Sequence, residues 1–112
     1  MTTVITPPWH AKRTDETRHI EELLRKQGFA QVDAYRYNPA AIRVRVIDPR
    51  FEGQSIEQRD AMVEPILAQL PERTQADIIT LLTFTESEVA QGPKFKGYGL
   101  NVEFDDPSPS IL

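Results

Sequence analysis

Two arginines and two tyrosines alternate along neighbouring predicted strands, where together they could bind an anion. Arg43 and Arg45 alternate with apolar residues in the stretch 42–46, and this period of two places both guanidinium groups on one face of a strand. Tyr35 and Tyr37 have the same spacing in the preceding strand. Arginine beside tyrosine suits stacking and anion contact, including contact with single-stranded nucleic acid. The alternative is a solvated sheet face on which the arginine stems cover their neighbours.

The surroundings of these two arginines are constrained by the cost of burying a charge. A core does not accept two unpaired guanidinium groups, so both must face water, a carboxylate or a ligand. The acidic tail residues Glu103, Asp105 and Asp106 could neutralise them, in the same molecule or across a dimer. The alternative is that these tail charges only promote solubility.

A second, weaker basic cluster surrounds the loop that contains Phe51 and Gly53. Arg50 comes directly before Phe51, and Arg59 follows in the next predicted helix. The candidate binding residues of both clusters are Tyr35, Tyr37, Arg43, Arg45, Arg50, Phe51, Gly53 and Arg59.

The remaining residues do not predict catalysis. The sequence has no Ser–His–Asp spacing, no phosphate-binding glycine loop and no pair of histidine metal ligands four residues apart on a helix. His10 and His19 lie far along the chain from any plausible nucleophile. We therefore expect a protein that is not an enzyme and that has no cofactor.

The composition is that of one ordinary domain of 112 residues, with 39% hydrophobic and 27% charged residues. A net charge of −4 argues against dominant binding to a phosphate backbone, although it allows a local basic patch. No apolar run approaches the ~20 residues of a membrane span. Because the sequence also shows no export signal, we expect a cytoplasmic protein without a membrane partner. The lack of cysteine excludes disulfides and thiolate metal sites.

Hydrophobic periodicity predicts an α+β fold of three strands with helices packed on one face, in the order α-β-β-α-α-β. The predicted elements are a helix from Thr14 or Asp15 to Gly28, strands at 32–37 and 42–47, a long helix from Ser55, a short helical turn at 71–76 and a strand at 77–84. The long helix carries an apolar stripe formed by Ile56, Val63, Ile66, Leu67 and Leu70.

The chain divides into an arm, a domain and a tail. We expect residues 1–13 to form a flexible N-terminal arm, because Pro7 and Pro8 block regular structure. Trp9 in this arm is predicted either to fold back on the domain or to meet a partner. Residues 14–90 hold the domain, and residues 91–112 read as an extended tail. Within it, the alternation at 100–104 predicts an edge strand or a cover over the open sheet face.

The element order and several residues together resemble the BolA family, whose small proteins have a class II KH-like arrangement. BolA proteins have a strand ending before F-x-G, a helix carrying R-H-R and an apolar stripe, and a last strand that starts at a histidine and ends near T-P-x-E-W. The chain is similar over roughly residues 18–90, at Phe51, Gly53, Arg59, Val63, Leu67, Thr85 and Glu88.

The chain departs from the BolA pattern where that family binds an iron–sulfur cluster with a monothiol glutaredoxin. Asp60 replaces the histidine of R-H-R, and Asp77 replaces the histidine at the start of the last strand. Glu86 and Val89 replace the proline and tryptophan of T-P-x-E-W. Without these histidines or any cysteine, the chain lacks the ligands that hold such clusters. The two aspartates would suit a hard cation, or are ordinary surface residues.

The resemblance and the residue patterns together predict a non-catalytic interaction or regulatory protein. We expect it to bind a protein partner through the sheet face or the F-x-G loop. The alternative is nucleic-acid binding on the KH-like scaffold. KH domains clamp the backbone with a G-x-x-G loop, and Gly53 is the only glycine in a comparable place.

Overall fold

The computed structural model describes residues 6–112 and shows an α+β protein built on a three-stranded sheet. Its helices are α1 (Asp15–Lys26), α2 (Ile56–Leu67), α3 (Glu72–Asp77), α4 (Glu86–Ala90) and α5 (Tyr98–Asp105). Its strands are β1 (Gln31–Asn38), β2 (Ala41–Ile47) and β3 (Ile78–Phe84). The predicted order of helix, strand, strand, helix, helix and strand is confirmed, and α4 and α5 follow it.

Strand β2 lies at the centre of the sheet. It pairs antiparallel with β1, where Tyr35 lies opposite Arg43, and parallel with β3, where Arg45 lies opposite Leu82. The β2–β3 register shifts between Ile42 and Arg43, so that Ile79 is an extra residue on β3. Strands β1 and β3 are the edges of the sheet. Within residues 6–112, no further strand pairs with the outer edge of β3.

Helices α1 and α2 pack on one face of the sheet, where their apolar stripes form the larger core. Each begins with a capping box, in which Thr14 bonds with Thr17 and Ser55 bonds with Gln58. The buried residues of this core are Ile20, Leu24, Phe29, Val32, Ala34, Ile42, Val44, Val46, Phe51, Val63, Leu67 and Leu70. Ile56 was assigned to the same stripe, but its side chain is 70% exposed.

The opposite face of the sheet carries a second, largely aromatic core. Its buried residues are Trp9, Tyr35, Ile47, Leu82, Phe84 and Phe104. The ring of Phe104, on α5, lies 4.8 Å from that of Tyr35 and 5.6 Å from that of Trp9. The expectation of helices on one face is therefore incomplete, because α5 lies on the other. Residues 100–104 cover this face as a helix and do not form an edge strand.

Both flanking segments pack on the domain as far as the structure describes them. Residues Pro8–Lys12 form a 3-10 helix that buries Trp9, so the second half of the predicted arm folds back on the sheet. Residues 1–5 of that arm lie outside the described range. The predicted extended tail contains a 3-10 turn at Gly92–Lys94 as well as α5. Across residues 6–112, no helix combines the length and the hydropathy needed to cross a membrane.

Candidate functional site

Arg45, expected to point outward from β2, is buried between the sheet and α5. Its Nε and Nη2 donate to Oδ2 of Asp33 at 3.2 and 2.9 Å. Its Nη1 donates to Oδ1 of Asp105 and Oδ1 of Asn101, both at 2.8 Å. The guanidinium carbon also lies 4.3 Å from the centroid of the Phe104 ring. Carboxylates of the same chain therefore neutralise this arginine.

Arg43 lies on the same face and is half-buried against the two tyrosines. Its guanidinium carbon is 3.7 Å from the centroid of the Tyr37 ring. Its Nη1 donates to the hydroxyl of Tyr35 at 3.0 Å and to Oε2 of Glu103 at 2.9 Å. The hydroxyl of Tyr37 donates to the carbonyl of Ser108 at 2.8 Å, which ties the tail to the same place.

The arginine face, formed by Tyr35, Tyr37, Arg43 and Arg45, is thus an interface within the chain. The structure brings all four predicted residues together, but α5 and the tail lie on top of them. Of the three tail carboxylates, Glu103 and Asp105 dock on this face, and Asp106 remains exposed. Tyr35 and Arg45 are therefore inaccessible to a partner while α5 is docked.

The docking of Glu103 is expected to weaken in acid. The Ser108 hydroxyl donates to Oε1 at 2.5 Å, and the Ser108 N–H and Arg43 donate to Oε2. These bonds lower the pKa of Glu103 from 4.5 to about 2. Because the pKa is depressed in the folded state, the stabilisation is present above pH 4.5 and is lost as the pH falls towards 2.

The pH dependence is measured by comparing the wild type with Glu103→Gln. We expect the wild type to be more stable at neutral pH and the difference in unfolding free energy to shrink across this acid range. Denaturant titrations at several pH values, followed by the fluorescence of Trp9, give that difference. A difference independent of pH would show that the Glu103 carboxylate does not hold α5.

The F-x-G loop joins β2 to α2, and its aromatic residue points inward. Phe51 is fully buried, with its ring 5.9 Å from that of Phe29. Gly53 has a φ of 74°, in the left-handed region that glycine adopts without strain. Arg50 donates from Nε to Oδ1 of Asp48 at 2.9 Å and lies over the Phe29 ring. Phe51 therefore serves the core, while Arg50 and Gly53 remain exposed.

Arg59 connects the end of this loop to β3 and α4. Its Nε donates to the carbonyl of Gln54 at 2.9 Å. Its Nη1 donates to the carbonyl of Thr83 at 2.9 Å and to Oε1 of Glu88 at 2.8 Å. Although burial works to raise the pKa of Glu88, hydrogen bonds from Arg59 and the Thr85 backbone lower it below its ordinary value. The Glu88 carboxylate is therefore ionised at neutral pH.

A cleft of about 580 Å³ opens beside this ion pair. The first turn of α2 forms one wall, residues 95–100 form the other, and the outer edge of β3 forms the floor. Ile56 and Leu100, on opposite walls, are 70% and 59% exposed. We call this the β3 cleft, and its principal lining residues are Ile56, Arg59, Leu81, Thr83, Phe95 and Leu100.

The floor of the β3 cleft presents backbone groups that no other strand among residues 6–112 pairs with. The carbonyl of Phe84 accepts from the N–H of Asp48 at the end of β2, whereas the carbonyl of Thr83 points the other way, to Arg59. Consecutive residues of a strand direct their backbone groups to opposite sides. The N–H and carbonyl of Leu81 and the N–H of Thr83 therefore point to the open edge. A partner strand could bond to them.

The two aspartates at the family's histidine positions have different surroundings. Asp77 accepts from Nη2 of Arg36 at 3.0 Å. Asp60 has one buried oxygen, Oδ1, with no hydrogen-bond partner in the described part of the chain. Burial, and to a lesser extent the charge of Glu64, raises the pKa of Asp60. No group of three or more potential metal ligands is found among residues 6–112.

Sequence reasoning did not locate the β3 cleft. Of the predicted binding residues, only Arg59 lines it. The other residues that line the cleft, such as Leu81, Phe95 and Leu100, come from segments far apart in the chain, and no periodicity in the sequence links them. One feature of the sequence could have pointed to the cleft. Leu100 is a large apolar residue that follows two glycines, in a stretch that was expected to be extended.

Comparison of the chain with protein-family models, curated proteins and solved structures gives no match.

Proposed function

We propose that this chain is a non-catalytic interaction protein that holds an extended segment of a protein partner in the β3 cleft. The observation that carries the proposal is the open edge of β3 at the floor of a largely apolar cleft. Addition of an extended segment to such an edge is a common mode of recognition, in which backbone hydrogen bonds supply affinity and side pockets supply specificity.

The two walls supply the pockets that this mode requires. Ile56 and Leu100 are large apolar side chains that solvent reaches, and a bound side chain between them would remove both from water. Arg59 closes one end of the free edge of β3, because it already donates a hydrogen bond to the carbonyl of Thr83. The free edge is therefore short, and it suits a few residues of a partner and not a whole added sheet.

The likeness to the BolA family, which we also propose as a relationship, directs attention to the same place. Arg59 and Glu88 are two of the matching positions, and both line the cleft. The departures at Asp60 and Asp77 are the reason for proposing a partner other than a cluster-bearing glutaredoxin.

The alternative function, binding of single-stranded nucleic acid to the arginine face, has less support. Arg43 and Arg45 already bind Glu103 and Asp105, so an oligonucleotide would have to displace α5. The net charge of −4 also repels a polyanion. Salt-dependent binding of an oligonucleotide to the full chain would favour this alternative.

The proposal is tested by selecting random linear peptides that bind the full chain and then titrating a selected peptide against cleft variants. Ile56→Asp and Leu100→Asp place a charge on each wall and should weaken binding at least about tenfold, because an unpaired charge opposes burial of the peptide. Folding should be unaffected, since both positions are exposed. Fluorescence anisotropy of the labelled peptide measures the affinity.

Val102→Asp is the matched control, because Val102 lies on α5, is 44% exposed and does not line the cleft. It should bind the peptide like the wild type. Failure to select any peptide, or equal binding by all three variants, would contradict the proposal. A dimer that dissociates in Ile56→Asp would assign the cleft to a second copy of the chain and would also contradict it.

A further inference from the structure

Helix α5 belongs to two parts of the molecule at once. Its residue Leu100 lines the β3 cleft, and its residues Glu103 and Phe104 contact the arginine face. A small cavity of about 90 Å³ lies between the helix and the sheet, and it is lined by Arg43, Thr80, Leu82, Leu100, Glu103 and Phe104. Two of these residues, Leu82 and Leu100, also line the cleft. The way α5 sits on the arginine face therefore fixes one wall of the cleft.

The principal contacts that hold α5 on the sheet lie outside the cleft. Phe104 is the one buried residue of the helix. Glu103 accepts a hydrogen bond from Arg43 at 2.9 Å, and Asp105 accepts one from Arg45 at 2.8 Å. None of these five residues lines the β3 cleft. A change to them can thus alter the cleft only by moving α5.

The start of α5 packs closely on two rings that line the cleft. Gly97 is the N-cap of the helix, and the rings of Phe84 and Phe95 meet edge to face with their centroids 5.0 Å apart. A Cβ on Gly97 would come within 2.9 Å of both rings, closer than packed side chains approach. A shift of α5 against the sheet is therefore transmitted to Phe95, which stands in the same wall as Leu100.

Binding in the cleft and docking of α5 must then favour each other. A bound segment contacts Leu100 only in molecules whose α5 is docked, so the measured affinity falls with the fraction of docked molecules. By linkage, a bound segment favours docking by the same factor.

We infer that Arg43 and Glu103 are positioning residues of the β3 cleft, whose ion pair holds α5 on the sheet and thereby places Leu100 opposite Ile56 for the partner segment. This inference rests on the proposed function, because it names residues that shape the site proposed there. The arginine face serves binding without contacting the partner. Its carboxylate partners, 60 residues away in the chain, keep the wall in place.

The test compares charge reversals in titrations of a peptide selected on the full chain. Arg43→Glu and Glu103→Arg each place two like charges between β2 and α5. Each should weaken peptide binding at least about fivefold, the lower end of the usual coupling between two sites. The double variant restores opposite charges and should regain most of the affinity, because the two changes act on one interaction. Arg18→Glu, at an exposed position on α1, is the control and should bind like the wild type.

A second measurement follows the helix itself. Trp9 does not line the cleft, and its ring lies 5.6 Å from that of Phe104 on α5. Without peptide, acrylamide should quench the fluorescence of Trp9 more strongly in Arg43→Glu than in the wild type. A saturating peptide that lacks tryptophan should reverse most of this increase, because its binding favours the docked helix.

The outcomes separate this inference from the proposed function. If Ile56→Asp weakens binding of the peptide but both single reversals bind like the wild type, the inference is wrong and the proposed function stands. A double variant that binds no better than the single variants contradicts the inference in the same way. If no peptide is selected, both fail. Circular dichroism melts establish that each variant is folded, and Glu103→Gln, which removes only the charge, replaces a reversal that does not fold and should give a smaller loss of affinity.

Discussion

Replacing Arg45 by alanine is expected to lower the free energy of unfolding by about 3–5 kcal/mol, because the change leaves a buried carboxylate without its partner. Asp33 lies on β1 and is buried, and Arg45 gives it two hydrogen bonds. The same change removes the bonds from Arg45 to Asn101 and Asp105, which hold α5. Denaturant titrations followed by the fluorescence of Trp9, the only tryptophan, measure the effect.

The controls for Arg45 distinguish a buried pair from an ordinary surface charge. Arg18→Ala, on the exposed side of α1, should change the stability by no more than about 1 kcal/mol. The double variant Arg45→Met with Asp33→Asn should lose less free energy of unfolding than the sum of the two single variants. Each single change leaves the other residue buried without its ionic partner, and the double change removes both charges. A loss below about 1 kcal/mol for Arg45→Ala would restore the expectation from sequence that this arginine faces water.

Phe104→Ala is expected to cost about 3–5 kcal/mol, because it empties the centre of the aromatic core. The Phe104 ring is only 1% exposed and contacts Tyr35, Trp9 and Arg45. Since Phe104 is the one buried residue of α5, the variant should also release this helix from the sheet. The emission of Trp9 should then shift to longer wavelength before global unfolding, as water reaches the ring.

Val102→Ala on the same helix is the matched comparison for Phe104→Ala. Val102 is exposed, so its truncation should change the stability by about 0.5 kcal/mol or less. Equal effects of the two changes would mean that α5 does not dock through Phe104. Unchanged emission of Trp9 in Phe104→Ala would mean that α5 stays docked on the sheet without the Phe104 ring.

The sequence by itself determined the secondary structure from α1 to β3 and most of the larger core. Ser55 and Gln58 lie within one turn of each other, so their capping box is visible in the sequence and starts α2 as predicted. Val63 and Leu67 are one turn apart and both reach the core, which confirms the helical stripe. These features depend on neighbours along the chain. The alternation of β2 is equally local, and it correctly places Val44 and Val46 against the helices.

Only the tertiary structure decided what covers the other face and where a partner could bind. A guanidinium group on a strand must be neutralised, but water, a ligand or a distant carboxylate would each suffice. Arg43 bonds with Glu103 and Arg45 bonds with Asp105, each 60 residues away, and no local pattern selects these pairs. The β3 cleft is non-local for the same reason, since its walls at Ile56 and Leu100 meet only when α2 and α5 pack beside β3. Periodicity reports which face of an element is apolar, whereas the neighbour that covers that face depends on how the whole chain packs.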